Sequence, residues 1–463
     1  MKLNNNLYYT ELLDEIEYVY LSDNRPWIIG FSGGKDSTVV IDLVYEMLRR
    51  LPPEKRKKTV HVVSSDTLVE NPLIKEYLTE VIDSIRLAAE DEKLPIVCEI
   101  VKPKPTHSFW ANVIGRGFPT PRLNGSFRWC TDRLKIIPSG EYIKNVIMTS
   151  GEEVVVLLGV RKGESQARKK RIEGRKILDR LLNRHESIKD AYVYPPIVDL
   201  TTDDVWDILA SNNNTTSWGY STNKLIELYS DASSNECPFA WTVKKDEQTQ
   251  SCGQSRFGCW MCTVVREDKS LNGFIRSGHR ELIPLSNFRK WIISIWDNPD
   301  MREKKRRDGK IYYSKTGDLG LGPFDWAARQ EILKNLLELQ AEINYELISV
   351  DELRAIDIIW DDELDLTRRV LVDLYRQTTG KKLPWDHLKH PLYDTETLRL
   401  LRTVSEEQGV PYDLLVKMVL VAEKSKHFSN KHKMNSLFEN TISQQWLHED
   451  VIKEWKDFDN QTS

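Results

Sequence analysis

The sequence predicts a doubly wound, mostly parallel α/β sheet in its first part, then a cysteine-rich segment, then an α-helical C-terminal region. Three observations carry that expectation. Over about the first 160 residues, short apolar runs alternate with helical patterns, the alternation that builds a parallel sheet with helices on both faces. All six cysteines, at 98, 130, 237, 252, 259 and 262, precede the final 201 residues. From about residue 323 onward the pattern is helical.

The elements follow in order. Pro26 to Phe31 (PWIIGF) reads as a buried strand, and Thr38 to Arg50, apolar at 39, 40, 41, 43, 44, 47 and 48, as a buried helix. Thr59 to Ser64 (TVHVVS) is a second strand. Pro72 to Leu87 is a helix whose apolar face carries Leu73, Tyr77, Leu78, Val81, Ile82 and Ile85. Ile96 to Val101 and Val154 to Val160 are a third and a fourth strand. Thr201-Thr202-Asp203-Asp204 starts a helix before Val205, Trp206, Ile208 and Leu209, and Asn212 to Thr216 reads as a loop. Pro323 opens a helical run with Ile332, Leu333, Leu336, Leu337 and Leu339, and Ser349 to Glu352 fits a capping box. Further helices are expected near 363–377, 395–408 and 411–425.

A chain of 463 residues exceeds one ordinary core and implies two to three domains. The boundaries expected are 1–210 for the α/β domain, 211–322 for a cysteine-rich and basic segment, and 323–463 for a helical domain, with a Gly- and Lys-rich linker at 304–322. No apolar stretch reaches the length needed to span a membrane. The start, MKLNNNLYYTELLDE, lacks a basic-then-apolar secretion pattern, so a cytoplasmic location is expected. The net charge of −4 excludes a chain that is basic overall; nucleic-acid contact would have to come from local patches.

The strongest local signal is Ser32-Gly33-Gly34-Lys35-Asp36-Ser37, after a strand and opening a helix. Glycines let backbone N–H groups approach phosphate oxygens, and the helix start adds partial positive charge. Lys35 can neutralise phosphate, and Ser32 and Ser37 can donate hydrogen bonds. The pattern is not GxxxxGK[ST], since Ile29 stands where that motif needs Gly and Asp36 where it needs Ser or Thr. Asp66, at the end of the second strand, is a candidate for ribose or adenine contact, against the alternative of an ordinary turn residue. Arg128, Arg161 and Arg168 suit phosphate, because a guanidinium forks onto two oxygens.

The second signal is Cys252 followed by Cys259-Trp260-Met261-Cys262. In a reducing compartment such clusters point to metal or redox chemistry. A fourth thiolate would come from Cys130 or Cys237, and four thiolates can hold either Zn²⁺ or an iron–sulfur cluster. Cys98, within IVCEIV, reads as a core residue.

The Ser32–Ser37 stretch resembles the SGGxDS loop of the PP-loop ATP pyrophosphatases (adenine nucleotide alpha hydrolase-like fold). Those enzymes cleave ATP between the α- and β-phosphates and transfer AMP to a substrate oxygen. The resemblance implies ATP and Mg²⁺ as cofactors and Asp36 as a Mg²⁺ holder. Lys35, Asp36 and Arg161 would be catalytic; Ser32, Gly33, Gly34, Lys35, Asp36, Ser37, Asp66, Gly159 and Arg161 would bind the nucleotide. Three further stretches resemble the PAPS-reductase branch: Arg128-Trp129-Cys130-Thr131 with Lys135 and Pro138; Gly159 to Ser165 with Arg168; and Pro195 to Asp199 followed by Asp204-Val205-Trp206. In order, these motifs cover about residues 25–210. The segment from Asn235-Glu236-Cys237-Pro238 through GCWMCTVV resembles the DndC family, ATP-dependent sulfurtransferases of DNA phosphorothioation. That resemblance implies a [4Fe-4S] cluster on Cys130, Cys252, Cys259 and Cys262, with Cys237 left as a sulfur carrier or alternative ligand. It also implies DNA, a cysteine desulfurase and other DNA phosphorothioation subunits as partners.

Arg302 to Arg307 with Lys310, Tyr312, Tyr313 and Lys315, and a second strip of Lys169, Lys170, Arg171, Arg175 and Lys176, could follow a nucleic-acid backbone. The alternative is a solvated charged face. Two rival activities share the loop, an adenylylsulfate reductase and a tRNA thiolase; a third reading is a non-catalytic DNA-binding subunit. The reductases attack sulfur with a cysteine in a C-terminal tail, and no cysteine follows Cys262.

Overall fold

A computed structural model describes residues 2–122, 128–162, 182–232, 257–307, 311, 313, 320–426 and 431–445. Its contacts divide the chain into two units: residues 1–104 with 122–286, and residues 105–121 with 287–463.

Among the described residues the first unit is built on six strands: β1 (Trp27–Phe31), β2 (Val60–Ser65), β3 (Ile96–Val101), β4 (Val154–Leu157), β5 (Asn183–Arg184) and β6 (Ala191–Tyr194), in the order β3-β2-β1-β4-β6-β5. All neighbours are parallel except the β5–β6 edge pair. Trp27 aligns with Val60 on one side and Val155 on the other. The near-continuous apolar runs of β1 and β4 are those of strands covered on both faces. The chain winds outward from β1 through β2 to β3, then returns to β4 on β1's other side. The strand order therefore reverses between β1 and β4, and a doubly wound sheet leaves a crevice outside the carboxyl ends of its strands there.

The helices of this unit are α1 (Lys2–Leu21), α2 (Lys35–Arg50), α3 (Pro72–Asp91), α4 (Ile137–Ser150), α5 (Thr202–Asn214), α6 (Asn223–Ala232) and α7 (Lys269–Arg276). α2 starts three residues earlier than its apolar pattern, because Lys35, Asp36 and Ser37 form its first turn. α3 opens on Pro72 after an Asn71 cap and buries Ile74, Tyr77, Val81, Ile82, Ile85 and Ala89; Leu73 and Leu78 are only half-buried. Thr201 and Asp204 make the reciprocal capping box of α5. That helix breaks at Ser211, after which Asn212, Asn213 and Asn214 take left-handed φ of 50–56°, a conformation that asparagine tolerates. β4 ends at Leu157, not Val160: Val160 N–H turns back to Leu158 O at 2.9 Å, bending the chain off the sheet.

The second unit is helical: α8 (Ile283–Ser294, across the division), α9 (Trp326–Ile343), α10 (Val350–Glu363), α11 (Val370–Thr379), α12 (Thr395–Gln408), α13 (Tyr412–Ser425) and α14 (Lys431–Gln445). Ser349 and Glu352 form the anticipated capping box, while α9 starts at Trp326 behind an Asp325 cap rather than at Pro323. The helix expected over 363–377 begins only at Val370, since the Asp365 carboxylate binds the N–H groups of Thr367 and Val370 and holds a turn there. Residues 105–121 belong to this unit through the π-helical turn Ala111–Gly115. Trp110 Nε1 donates to Leu347 O at 2.8 Å, and Trp360 Nε1 to Ile114 O at 3.1 Å. Among the described residues no helix is long and apolar enough to cross a membrane.

Candidate functional site

The loop joining β1 to α2 turns at Gly33, whose φ of +73° is left-handed and favours glycine. Gly34 caps α2 without a side-chain hydrogen bond, so first-turn N–H groups face the loop's concave side. Ser37 Oγ donates to Gly34 O at 2.9 Å and lies 3.2 Å from Ser32 Oγ, which fixes the turn from within.

Asp36 joins the cations. Its Oδ2 is 3.1 Å from Lys35 Nζ, and its Oδ1 accepts from Arg161 Nε at 2.5 Å. Arg161 also donates to Thr202 Oγ1 at 3.2 Å. The Lys35 and Arg161 residues are only 5% and 4% exposed, so Asp36 offsets two charges largely removed from water. The bend after β4 brings Arg161 here, and Gly159 makes it possible. A Cβ at 159 would lie 2.9 Å from the Asp36 carbonyl and the Ser37 nitrogen. Gly159, expected to touch nucleotide, has a packing role that its position alone explains.

Beside this loop lies a cleft of about 980 Å³ lined by Ser32, Ser64, Asp66, Lys102, Lys135 and Phe257 among others. This is the upper end of the range for small-molecule sites. Ser64 lies on its wall with its Oγ buried. Asp66 is buried, accepts from Leu68 N–H at 2.8 Å, and has Lys75 and Lys102 each 3.8 Å away.

The carboxyl end of β2 also holds the CxxC. Glu70 and Cys259 form an isolated antiparallel bridge, and Trp260 N–H donates to Val69 O at 3.0 Å. Thr67 Oγ1 bonds Glu70 Oε1 at 2.8 Å and lies 3.3 Å from Cys259 Sγ. Burial, then Glu70, pushes the Cys259 thiol up to about 12. Burial, then Cys262, raises Cys130. Lys135, from the π-helical turn Asp132–Ile136, is held above its ordinary value: burial opposes its charge, but Glu70, Cys259, Cys262 and Cys130 together outweigh that. These couplings place Cys130, Cys259 and Cys262 in one neighbourhood around Lys135.

A family profile for the phosphoadenosine phosphosulfate reductase domain matches residues 26–265, just over half of the chain. The chain belongs to this family. The match spans the sheet, the loop and all six cysteines of this PAPS reductase-domain protein. An uncharacterized protein of Methanocaldococcus jannaschii, MJ0066, is 28% identical over 170 residues, 36% of this chain. The chain spans about 30% of that relative's length. Among solved structures, the PAPS reductase of Candida auris in its phosphate complex is similar at 18% identity and a TM-score of 0.29, over 48% of this chain and 84% of that one. The tRNA thiolase NcsA of Methanococcus maripaludis, solved with its [4Fe-4S] cluster, is similar at 13% identity and a TM-score of 0.26, over 47% and 70%.

The PAPS reductase-domain fold thus gathers Ser32, Gly33, Gly34, Lys35, Asp36, Ser37, Gly159 and Arg161 around one loop and places Asp66 in the adjoining cleft. Cys237, Cys252 and Arg168, and the basic strip at 169–176, lie outside the described residues, as do Lys310, Tyr312 and Lys315. Arg128 is exposed. Cys98 is buried in β3, as its apolar setting implied. Among the described residues no group of three or more His, Cys, Asp or Glu side chains is arranged to hold a metal ion. Cys130, Cys259 and Cys262 take part in no disulfide, and thiolate sulfur is the donor type a thiophilic metal prefers.

Arg302 is a correction to the basic patch expected over residues 302–307, whose Lys304, Arg306 and Arg307 are exposed. It is 5% exposed, its guanidinium donates to the carbonyls of Gly322 and Trp296, and it lies 5.2 Å from the Phe324 ring. A run of charges identifies cations but not the carbonyls that the fold turns toward one of them. Arg307 pairs with Glu363 at 2.7 Å.

The sequence reading missed Tyr229. This buried residue of α6 accepts from Lys35 N–H at 3.3 Å, and its ring lies 5.3 Å from Lys35 Nζ. It also missed Thr67 and Glu70. Their only signal was adjacency to Asp66 at a strand end.

Proposed function

We propose that the chain is an ATP pyrophosphatase and sulfurtransferase of the DndC type, acting on DNA. ATP with Mg²⁺ would bind at the β1–α2 loop. A non-bridging oxygen of a DNA phosphate would attack the α-phosphorus, forming an O–P bond as the α–β bridging bond breaks and pyrophosphate leaves. A sulfur nucleophile supplied through a cysteine desulfurase would then displace AMP, which carries the oxygen away.

One observation carries this reading. The Lys35–Asp36–Arg161 set sits at the sheet's switch point, and the cleft beside it is lined by Glu70, the residue that bridges to Cys259. Groups suited to phosphate and a cysteine thiol thus lie toward the same end of the sheet, which supports the reading. Lys35 and first-turn N–H groups suit the departing pyrophosphate, Asp36 suits Mg²⁺, and Arg161 suits charge developing on the α-phosphate. A [4Fe-4S] cluster, if bound, would fall to Cys130, Cys252, Cys259 and Cys262 and would supply electron transfer or a sulfur-binding iron.

The test is pyrophosphate release by the full chain with ATP, Mg²⁺, sulfur donor and companion subunits, offering DNA and tRNA separately, with adenylylsulfate and a thiol reductant as a third, ATP-free arm. The reading expects DNA-dependent release and sulfur in the DNA backbone by mass spectrometry. Release that depends on tRNA alone would assign the site to a thiolase, and AMP with sulfite formed from adenylylsulfate would assign it to an adenylylsulfate reductase.

A further inference from the structure

The geometry points to Tyr229 as a positioning residue whose hydroxyl takes the Lys35 N–H that a phosphate oxygen would use and must yield it when a polyphosphate binds. The inference rests on the reading of Ser32–Ser37 as the phosphate site.

Four observations converge. Gly34 leaves α2 without a side-chain cap, and Lys35 N–H, a donor an incoming phosphate needs, instead donates to Tyr229 Oη at 3.3 Å. The hydroxyl occupies the loop's concave side: a Cβ on Gly34 would lie 3.2 Å from it. Lys35 Nζ, 5.3 Å from the same ring, is held over an aromatic face and by Asp36 rather than reaching outward. Finally, the tyrosine is firmly delivered. It is 6% exposed, with its ring against Trp206 (5.2 Å, 89°) and Phe257 (4.6 Å, 55°). The end of α6 behind it abuts Gly273 of α7, where a Cβ would lie 2.4 Å from Asp231 O.

A phosphate oxygen accepting from Lys35 N–H would need the position the hydroxyl holds, since both satisfy the same donor along nearly the same direction. The tyrosine hydroxyl thus meets the requirement that a buried N–H be paired. The cost falls on binding, because each phosphate must break that bond before making its own. Phe257 lies two residues before Cys259, so the ring that yields is packed on the segment bearing the CxxC.

The experiment compares the full-length wild type with Tyr229→Phe, which keeps the ring and its stacking and removes only the hydroxyl. Inorganic pyrophosphate and ATP are titrated calorimetrically, and Tm is recorded with and without each. The variant is expected to be less stable when empty and to bind pyrophosphate roughly 2- to 12-fold more tightly, the worth of one hydrogen bond no longer broken. A purely structural hydroxyl would destabilise empty and loaded protein alike and leave affinity unchanged. Unchanged or weaker pyrophosphate binding by Tyr229→Phe, with normal binding by the wild type, overturns the inference. A wild type that binds neither ligand overturns the phosphate-site reading itself. Hydrogen exchange at the Lys35 amide gives a check independent of the variant: protection in the empty wild type is expected, and free exchange there would also refute the role.

Discussion

The Gly159→Ala substitution puts the architecture of the loop to a direct test. The added Cβ would sit 2.9 Å from the carbonyl carbon and oxygen of Asp36 and from Ser37 N, all backbone atoms of the first turn of α2. A relaxed contact needs roughly 3.5 Å, so the segment after β4 and the loop must part by about 0.6 Å. No flexible side-chain end is available to absorb this. Overpacking of that kind costs about 1–3 kcal/mol. The displaced backbone carries the Asp36 carboxylate, which holds both Lys35 and Arg161. Misplacement of reacting groups by about 1 Å can cost 10²-fold in rate, so pyrophosphate release should fall by roughly 10- to 100-fold while urea unfolding shows only a modest loss. Gly140→Ala is the control. Its Cβ meets nothing within 4 Å inside α4, and there alanine should stabilise by roughly 0.5–1 kcal/mol. If Gly159→Ala matches the wild type in both turnover and stability, the close approach of β4's exit to the loop has no functional consequence and the argument fails.

Three further outcomes follow from other residues. Asp36→Asn leaves Arg161 and Lys35, both nearly buried, without their shared counter-charge; a loss of about 3 kcal/mol or more and undetectable pyrophosphate release are expected, and an unchanged urea midpoint would contradict the pairing. Asp42 lies buried on α2, with Glu46 and Arg49 beside it, Ser217 N–H donating at 2.6 Å, and Tyr9, Asp204 and Asp207 around the same hollow; burial pushes its carboxyl up to about 6 from an ordinary 3.8. The folded chain therefore keeps a proton that the unfolded chain has released, so stability from this group is full below pH 4 and lost as pH rises through about 6, roughly 3 kcal/mol in all. Asp42→Asn should thus gain on the wild type between pH 4 and 7 in urea titrations, and parallel pH profiles would refute the assignment. Arg302→Met should cost about 3 kcal/mol, because the carbonyls of Gly322 and Trp296 lose a buried donor, while the salt dependence of DNA binding stays put; a reduced salt slope would return Arg302 to the surface patch.

What could be read in advance was what the chain writes consecutively. PWIIGF and TVHVVS become β1 and β2 because an unbroken apolar run of strand length suits a sheet buried on both faces. The capping boxes at Thr201 and Ser349 need only four successive residues, and both form. Residues 32–37 are likewise contiguous. Arg161 was accessible through a weaker rule, that a charge just past a parallel strand's carboxyl end faces the crevice. Tyr229 was not legible: it meets Lys35 across 194 residues, and nothing in the α6 pattern separates a core tyrosine from one whose hydroxyl enters the loop. The Thr67–Cys259 contact joins positions 192 apart. Segment 105–121 lies between elements of the sheet, yet its backbone carbonyls are claimed by Trp360 and Arg329 of the helical unit. Periodicity along a chain assigns local conformation and carries no information about which distant donor a carbonyl will meet.

The loop's charges make one more step possible. An anion site with Lys35 and Arg161 both bare would bind polyphosphate strongly but would be costly to fold, because two nearly buried cations would face each other without compensation. Asp36 removes that cost by holding one cation on each carboxylate oxygen. A polyphosphate bound in the loop as proposed would take over those cations and so free the carboxylate, and a free carboxylate beside phosphate oxygens is the donor set that a hard divalent cation prefers. Nucleotide and metal would then bind with positive coupling through a single residue. On the proposed reading, Asp36, more than Lys35, would be the pivot, since it compensates both cations and would become available only as polyphosphate takes them over.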